Sequence, residues 1–247
     1  MKKTLQLSSL VLSLTLLMIG CADSTEDATP TETKNNKVET EKVIEEEIKK
    51  PQIKDEKISV FKDIDGNSIY HYSAIIKNNE KATIRIYPYT LTLYKKDGSV
   101  GDTMDADVTP MYLKQGDESF VSAWGAIDGI TPESYNKTDV NIDFEKTEKE
   151  LLLLDTENVK LQKPEDEYSS PKVTGVIKNA TKKTAKDIVI AVSLFDSQGK
   201  LLAVHEDFAD NDLDDKESEG FSIDIPSQKE ILNQVSTIEV KAQGFVE

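Results

Sequence analysis

The stretch 174–221 contains "TGVIKN", "IVIAVSLFDSQGKLLAV" and a closing "EGF", and a second copy of this pattern lies 101 residues upstream. Laid back without a gap, Ile177, Lys178 and Asn179 fall on Ile76, Lys77 and Asn78, and Leu194 and Phe195 fall on Leu93 and Tyr94. Gly199 meets Gly98, and Phe221 meets Phe120. An internal duplication of this kind commits the chain to building one small module twice. Two modules of about 90–100 residues sit in the ordinary size range of domains.

Period-two alternation predicts strands in both copies, because successive side chains of a strand point to opposite faces. In the first copy Tyr70, Tyr72, Ala74 and Ile76 share a face, as do Tyr87, Tyr89, Leu91 and Leu93. Phe120 and Trp124, and then Val140, Ile142 and Phe144, continue the series. The second copy answers with Val173 and Ile177, with Ile188, Ile190, Val192 and Leu194, and with Phe221, Ile223 and Ile225. Gly98 and Gly199 stand where hairpin turns need a positive φ. Helical periodicity is scarce, although Ser227, Gln228, Lys229 and Glu230 have capping-box form and predict one helical turn. Many short strands with turn signals between them predict an all-β protein with two tandem sandwiches, at 56–146 and 157–247. Residues 147–156 read as a linker, and the leucines 151–154 within it read as an extended piece or as packing between domains, since four exposed leucines would leave an apolar patch.

Upstream of the duplication, Lys2 and Lys3 precede an apolar run over 5–19 that is the length of a signal-peptide core and short for a membrane span. Gly20 and Cys21 follow directly, and this junction resembles the bacterial lipoprotein signal. The resemblance implies removal of residues 1–20, cleavage after Gly20, and palmitate-type acylation at Cys21. Two or three acyl chains make a stable membrane anchor where one is marginal. Cys21 is the only cysteine, so an intrachain disulfide and a thiolate metal cluster are excluded. Residues 21–55 read as a disordered acidic and polar tether with a reach of roughly 30 Å. Without Lys2 and Lys3 the chain carries 28 basic against 46 acidic residues, a balance of −18. That charge disfavours nucleic acid and anionic polymers as partners.

The repeated segments "LTLYK" at 91–95 and "VSLFD" at 192–196 resemble the motif of the FxLYD domain, an immunoglobulin-like β-sandwich of bacterial extracytoplasmic lipoproteins. Leu91, Leu93, Tyr94 and Gly98 carry it in the first copy, and Val192, Leu194, Phe195, Asp196 and Gly199 in the second. Lys95 stands where the motif has aspartate. The resemblance implies two tandem immunoglobulin-like sandwiches and no catalytic activity.

Sites of chemistry are weak in this sequence. His71 and His205 are the only histidines, fall at non-equivalent positions and read as outward strand residues. With no P-loop, GxGxxG or CxxC, no cofactor is expected. Asp207, Asp210, Asp212, Asp214 and Asp215 gather oxygens, yet Lys216 and Phe221 break the pattern of a calcium loop. The turn at Asp63, Asp65, Gly66 and Asn67 begins like one but brings its glycine too early, and no metal is expected. Tyr72, Tyr87, Tyr89 and Tyr94 align with Val173, Ile188, Ile190 and Phe195, and Trp124 with Ile225, so they read as core; Tyr70 is the least constrained of the set. The expected protein is non-catalytic and lipid-anchored at the extracytoplasmic face of a bacterial cell membrane. Its expected partners are the membrane, through Cys21, and a protein or envelope component. Capture of a solute or ion is the alternative, and hydrolysis a distant third.

Overall fold

A computed structural model describes residues 49–63, 65–149, 151–164, 169–226 and 229–246, all of which belong to one unit spanning Glu46–Glu247. The signal, Gly20, Cys21 and most of the tether lie outside these residues. Among the described residues the fold is all-β apart from one helical turn, α1 (Lys229–Leu232), at the place the capping box marks.

The first repeat is a six-stranded sheet in the order β1-β2-β7-β5-β4-β8: β1 (Gln52–Lys62), β2 (Ser68–Lys77), β7 (Glu118–Ala126), β5 (Val100–Thr109), β4 (Tyr89–Lys95) and β8 (Tyr135–Val140). It folds over on itself at β5, which pairs with β4 through Ala106 and then with β7 from Asp107. The resulting sandwich encloses Tyr70, Tyr72, Ile76, Leu91, Leu93 and their neighbours. A small sheet of β6 (Tyr112–Leu113), β3 (Ile84–Ile86) and β9 (Phe144–Lys146) closes one side. The second repeat has the order β13-β12-β15-β10-β11-β14: β13 (Leu201–Phe208), β12 (Lys186–Phe195), β15 (Thr237–Phe245), β10 (Leu152–Gln162), β11 (Lys172–Lys178) and β14 (Ser218–Asp224). Here the strand that bends between the layers is β10, pairing with β15 at Leu152, Leu153 and Leu154 and with β11 from Asp155 onward. Its separate core holds Val173, Ile177, Ile188, Ile190, Val192 and Leu194.

Two predicted boundaries move. Strand β1 begins at Gln52, inside the stretch read as tether, because Ile53, Ile58 and Val60 pack on the first core. Strand β10 begins at Leu152, inside the stretch read as linker. Leu154 is buried and Leu152 packs on the second core, while Leu153 between them faces solvent.

The duplication is visible in a repeated bonding pattern. Asn78 and Asn179 are fully buried, and each ends its strand with the same five hydrogen bonds. Asn78 Nδ2 donates to the carbonyls of Ala82 and Leu113, and Asn179 Nδ2 to those of Lys183 and Leu213, at 2.7–3.0 Å. The Oδ1 atoms accept from Glu80 N and Thr181 N, and the backbones bond to Asp117 and Gly116 and to Glu217 and Lys216. A buried amide satisfied on every side specifies its loop, since any rearrangement would orphan several polar groups.

The motif turns also match. In both, the glycine has a positive φ, 84° at Gly98 and 76° at Gly199, and donates its N–H to the carbonyl at Lys95 or Asp196. Asp196 Oδ1 accepts from Gln198 N and Lys200 N. Lys95 cannot do so, and Asp97 takes over by accepting from Ser99.

The pairing registers correct the gapless alignment. Lys77 faces Glu118 on β7, and its counterpart Lys178 faces Ser218 on β14. From these strands onward the offset is 100 residues. Phe120 therefore matches Gly220, Val121 matches Phe221, and Trp124 matches Asp224 instead of Ile225. A slip of one residue exchanges the faces of a strand, so Phe120 and Trp124 leave the core of their own sandwich.

Candidate functional site

The outward faces of the two sandwiches meet in a seam. Strand β2 is buried along nearly its whole length. Tyr70, Tyr72, Ala74 and Ile76 fill their own core, while Ile75 and Phe120 pack against Ala191, Phe195, Leu201 and Val204 of the other repeat. Complete burial of side chains of this size contributes about 1.5–3 kcal/mol each, enough to join the repeats into one body. Lys241 reinforces the contact with its ammonium 4.4 Å from the centre of the Phe120 ring and bonded to the Glu118 carbonyl.

At the centre of the seam, three side chains of the first repeat hold the backbone N–H and carbonyl of one residue of the second, Val204. Strand β13 is the end strand of its sheet, so one edge of its backbone lacks a strand partner. Val204 N donates to Ser73 Oγ at 2.8 Å, and the Val204 carbonyl accepts from Ser122 Oγ and His71 Nε2, each at 2.9 Å. Leu201 N donates to Asp55 Oδ2 at 2.9 Å. Capping an open edge with side chains satisfies its polar groups and blocks pairing with another chain.

His71 and His205 are both buried, a correction to their reading as outward residues: each leaves its own core only to enter the seam. Their rings lie 4.7 Å apart, and the indole of Trp124 stands 5.1 Å from His71 and 6.2 Å from His205. Phe61 extends the cluster, 5.7 Å from Trp124. A carbonyl only accepts, so the hydrogen of His71 resides on Nε2. Desolvation lowers the His71 pKa to about 4 against the pull of the Val204 carbonyl. His205 is pushed well below the ordinary range by burial and then by His71. Ser73 Oγ lies 3.1 Å from His71 Nε2, the spacing of a nucleophile and its base. That nitrogen already donates to Val204, and Ser73 accepts the Val204 N–H, so the pair serves as a clamp.

Beside the histidines lies a cavity of about 220 Å³ lined by Asp107, Ser122, Trp124, His205, Glu206, Asp224 and Pro226. Glu206 is pushed up to about 7 by burial and then by the charge of Asp107, and Asp107 is itself raised by burial and then by the charge of Asp105. Thr109 Oγ1 donates to Glu206 at 3.1 Å across the seam, and Lys172 pairs with Asp224 at 3.2 Å.

The other candidate residues are dispersed. Leu91, Leu93, Val192 and Leu194 are core. Phe195 enters the seam, whereas its counterpart Tyr94 is half-buried beneath the Lys137 ammonium at 4.7 Å. Tyr70 is fully buried and bonded to Thr138, so it is among the most constrained tyrosines. Tyr87 leaves the core to Ile86 and instead bonds Glu145 at 2.5 Å with the Arg85 guanidinium over its ring. Asp63 is spent on its own turn, accepting from Asp65 N, Asn67 N and Asn67 Nδ2. Asp214 accepts from Thr184, and Asp212 from Asp187 N. Among the described residues no group of three or more histidine, cysteine or acidic side chains is placed to hold a metal ion. No described helix is long and apolar enough to cross a membrane.

No family model matches the chain, and no curated protein matches it. The solved structure of Bacteroides uniformis beta-glucuronidase 2, covalently bound to cyclophellitol-6-carboxylate aziridine, overlays on 64% of this chain and 22% of its own, at 13% identity and a TM-score of 0.21. A likeness at that score carries no argument about activity.

Sequence reasoning missed the seam, though β2 held a clue. Ile69 and Ile75 are apolar on the face opposite Tyr70 and Tyr72, and a strand apolar on both faces is one covered on both.

Proposed function

We propose that this chain is a lipid-anchored extracytoplasmic protein, carried by Cys21 on the outer face of a bacterial cell membrane, that acts without catalysis as a protein- or envelope-interaction module. The sequence supports the anchor through Gly20 and Cys21 directly after an apolar run. The repeated motif supports two FxLYD-like, immunoglobulin-like units. The observation that carries the reading is the capture of the Val204 backbone N–H and carbonyl by His71, Ser73 and Ser122, which commits these side chains to joining the repeats. A body joined in this way is a rigid platform on a leash. Among the strands that end a sheet, the edge we assign to a partner is β8, which among the described residues pairs with β4 alone and is the more exposed of the two. Addition of an extended segment to such an edge is a common mode of recognition.

Two measurements test this reading. Cells fed a palmitate analogue label the wild-type chain and leave Cys21→Ser unlabelled. A photo-crosslinking residue at Asn136 on β8 captures an envelope protein, while the same probe at Ser222 on β14 does not. Absence of both labelling and capture overturns the proposal. The seam cavity favours capture of a small ligand as the second reading, although at about 220 Å³ it falls below the usual roughly 300–1,000 Å³ of ligand pockets. A screen of sugars, amino acids, peptides and calcium in which one compound raises the melting midpoint would select that reading.

A further inference from the structure

The seam unites two apolar cores that are otherwise separate, and neither histidine belongs to either core. We propose that the seam is an acid-released latch: protonation of His71 and His205 parts the two repeats while each keeps its own fold, turning a rigid body into a hinged pair.

The geometry sets this up. The two imidazoles come from different repeats and face one another at 4.7 Å. Two imidazolium ions at that distance in a desolvated contact repel, and separation of the repeats is the motion that relieves them. Around them, β1 contributes Lys57, which pairs with Ser73, and Asp55, bonded to Leu201 N. Strand β7 presents the uncharged Ser122 and Trp124, β5 presents Asp107, β13 presents Glu206, and β14 presents Asp224 paired with Lys172 of β11. Strand β12 presents Ser193, opposite Val204. Lys241 and Glu118 lie further along the seam, beside Phe120. Burial is the leading influence on both histidines, and the neighbouring Glu206 is itself held toward its neutral form. The latch closes on the Val204 backbone and on six apolar side chains that lie outside both cores, so opening it leaves the cores of both sandwiches covered.

Trp124 is the only tryptophan and stands against both rings, so it reports the state of the seam directly. The experiment follows Trp124 emission, radius of gyration by X-ray scattering and far-UV circular dichroism of the full chain from neutral to acid pH. The expected result is quenched, red-shifted emission and a larger radius at a midpoint below about pH 6.5, the value of a free histidine, with the strand signal retained. His71→Gln with His205→Gln is expected to abolish this transition. If the pair folds poorly, His205→Gln alone is expected to move the midpoint by about one pH unit or remove it. Strand signal and emission lost together, a transition that survives the double substitution, or imidazole resonances titrating near pH 6.5 with Trp124 unchanged would each overturn the latch.

Discussion

Phe221 lies flat across Gly175, its strand partner, so closely that a β-carbon on the glycine would fall 2.6 Å from two ring atoms. The equivalent pair in the first repeat is Ala74 opposite Val121, both fully buried. The two repeats fill one volume in different ways, a larger side chain in one being offset by a missing methyl opposite. Gly175→Ala is expected to destabilise the protein by about 1–3 kcal/mol through overpacking. The double substitution Gly175→Ala with Phe221→Val, which copies the first repeat, is expected to cost less than the sum of the two singles. Urea denaturation of the four proteins in a double-mutant cycle measures this coupling.

Gly116 and Lys216 occupy equivalent turns directly before the sister strands β7 and β14, with φ of 86° and 66°. The left-handed region is strained for a lysine and ordinary for glycine. Lys216→Gly is therefore expected to stabilise the second repeat by about 0.5–1 kcal/mol, and Gly116→Lys to destabilise the first by a similar amount. Thermal melting of the two variants should show midpoints displaced in opposite directions.

The buried amides Asn78 and Asn179 make the same five hydrogen bonds, and Asn179 adds a sixth from Thr181 Oγ1. Replacement of either by alanine removes the amide from two carbonyls and an N–H, at about 1–3 kcal/mol for a buried group left unpaired, although Leu213 and Lys183 of the second repeat keep donors in Ala185 N and Thr181 Oγ1. Either variant is expected to lose more stability than alanine at the solvent-facing Asn136 on β8, which should stay within about 0.5 kcal/mol of wild type. The denaturation midpoint and amide exchange of the adjoining loops check this.

Stability should peak near pH 6.5, between two opposed titrations. The folded His71 has a pKa of about 4 against about 6.5 unfolded, so its contribution is complete above pH 6.5 and is lost as pH falls toward 4. His205 shifts the same way. Glu206 is opposite in sign: raised to about 7 from an ordinary 4.5, it favours the folded state at low pH, and that contribution is lost as pH rises through 7. Two histidines outweigh one glutamate on the acid side, and Glu206 alone acts between pH 6.5 and 7. Glu206→Gln is expected to remove the alkaline decline and leave the acid one in place. Midpoints in urea from pH 4.5 to 8.5 check both arms.

Phe120 carries the apolar part of the seam. Phe120→Ala is expected to cost about 3–5 kcal/mol and to replace one cooperative melting transition by two, one for each repeat. Calorimetry distinguishes this from uniform weakening, in which a single transition moves to lower temperature.

Local physics made much of this protein legible before any coordinates. Alternation gives strands, glycines with the neighbouring aspartates give turns, and Asn78 with Asn179 marks the same strand end twice, because each is decided by residues close in the chain. The all-β class and most core side chains, Leu91, Leu93, Val192 and Leu194 among them, follow from that pattern. What covers the outward face of a strand is decided by residues 82–133 positions away, as Val204 is for His71, Ser73 and Ser122, and periodicity carries no information about a partner at that distance. A single residue of offset between the copies was also enough to reverse the faces of β7, and only the hydrogen-bond register reveals it. The sequence by itself thus determined two alike strand-built halves, whereas tertiary packing alone decided that they share a seam and that both histidines are buried in it.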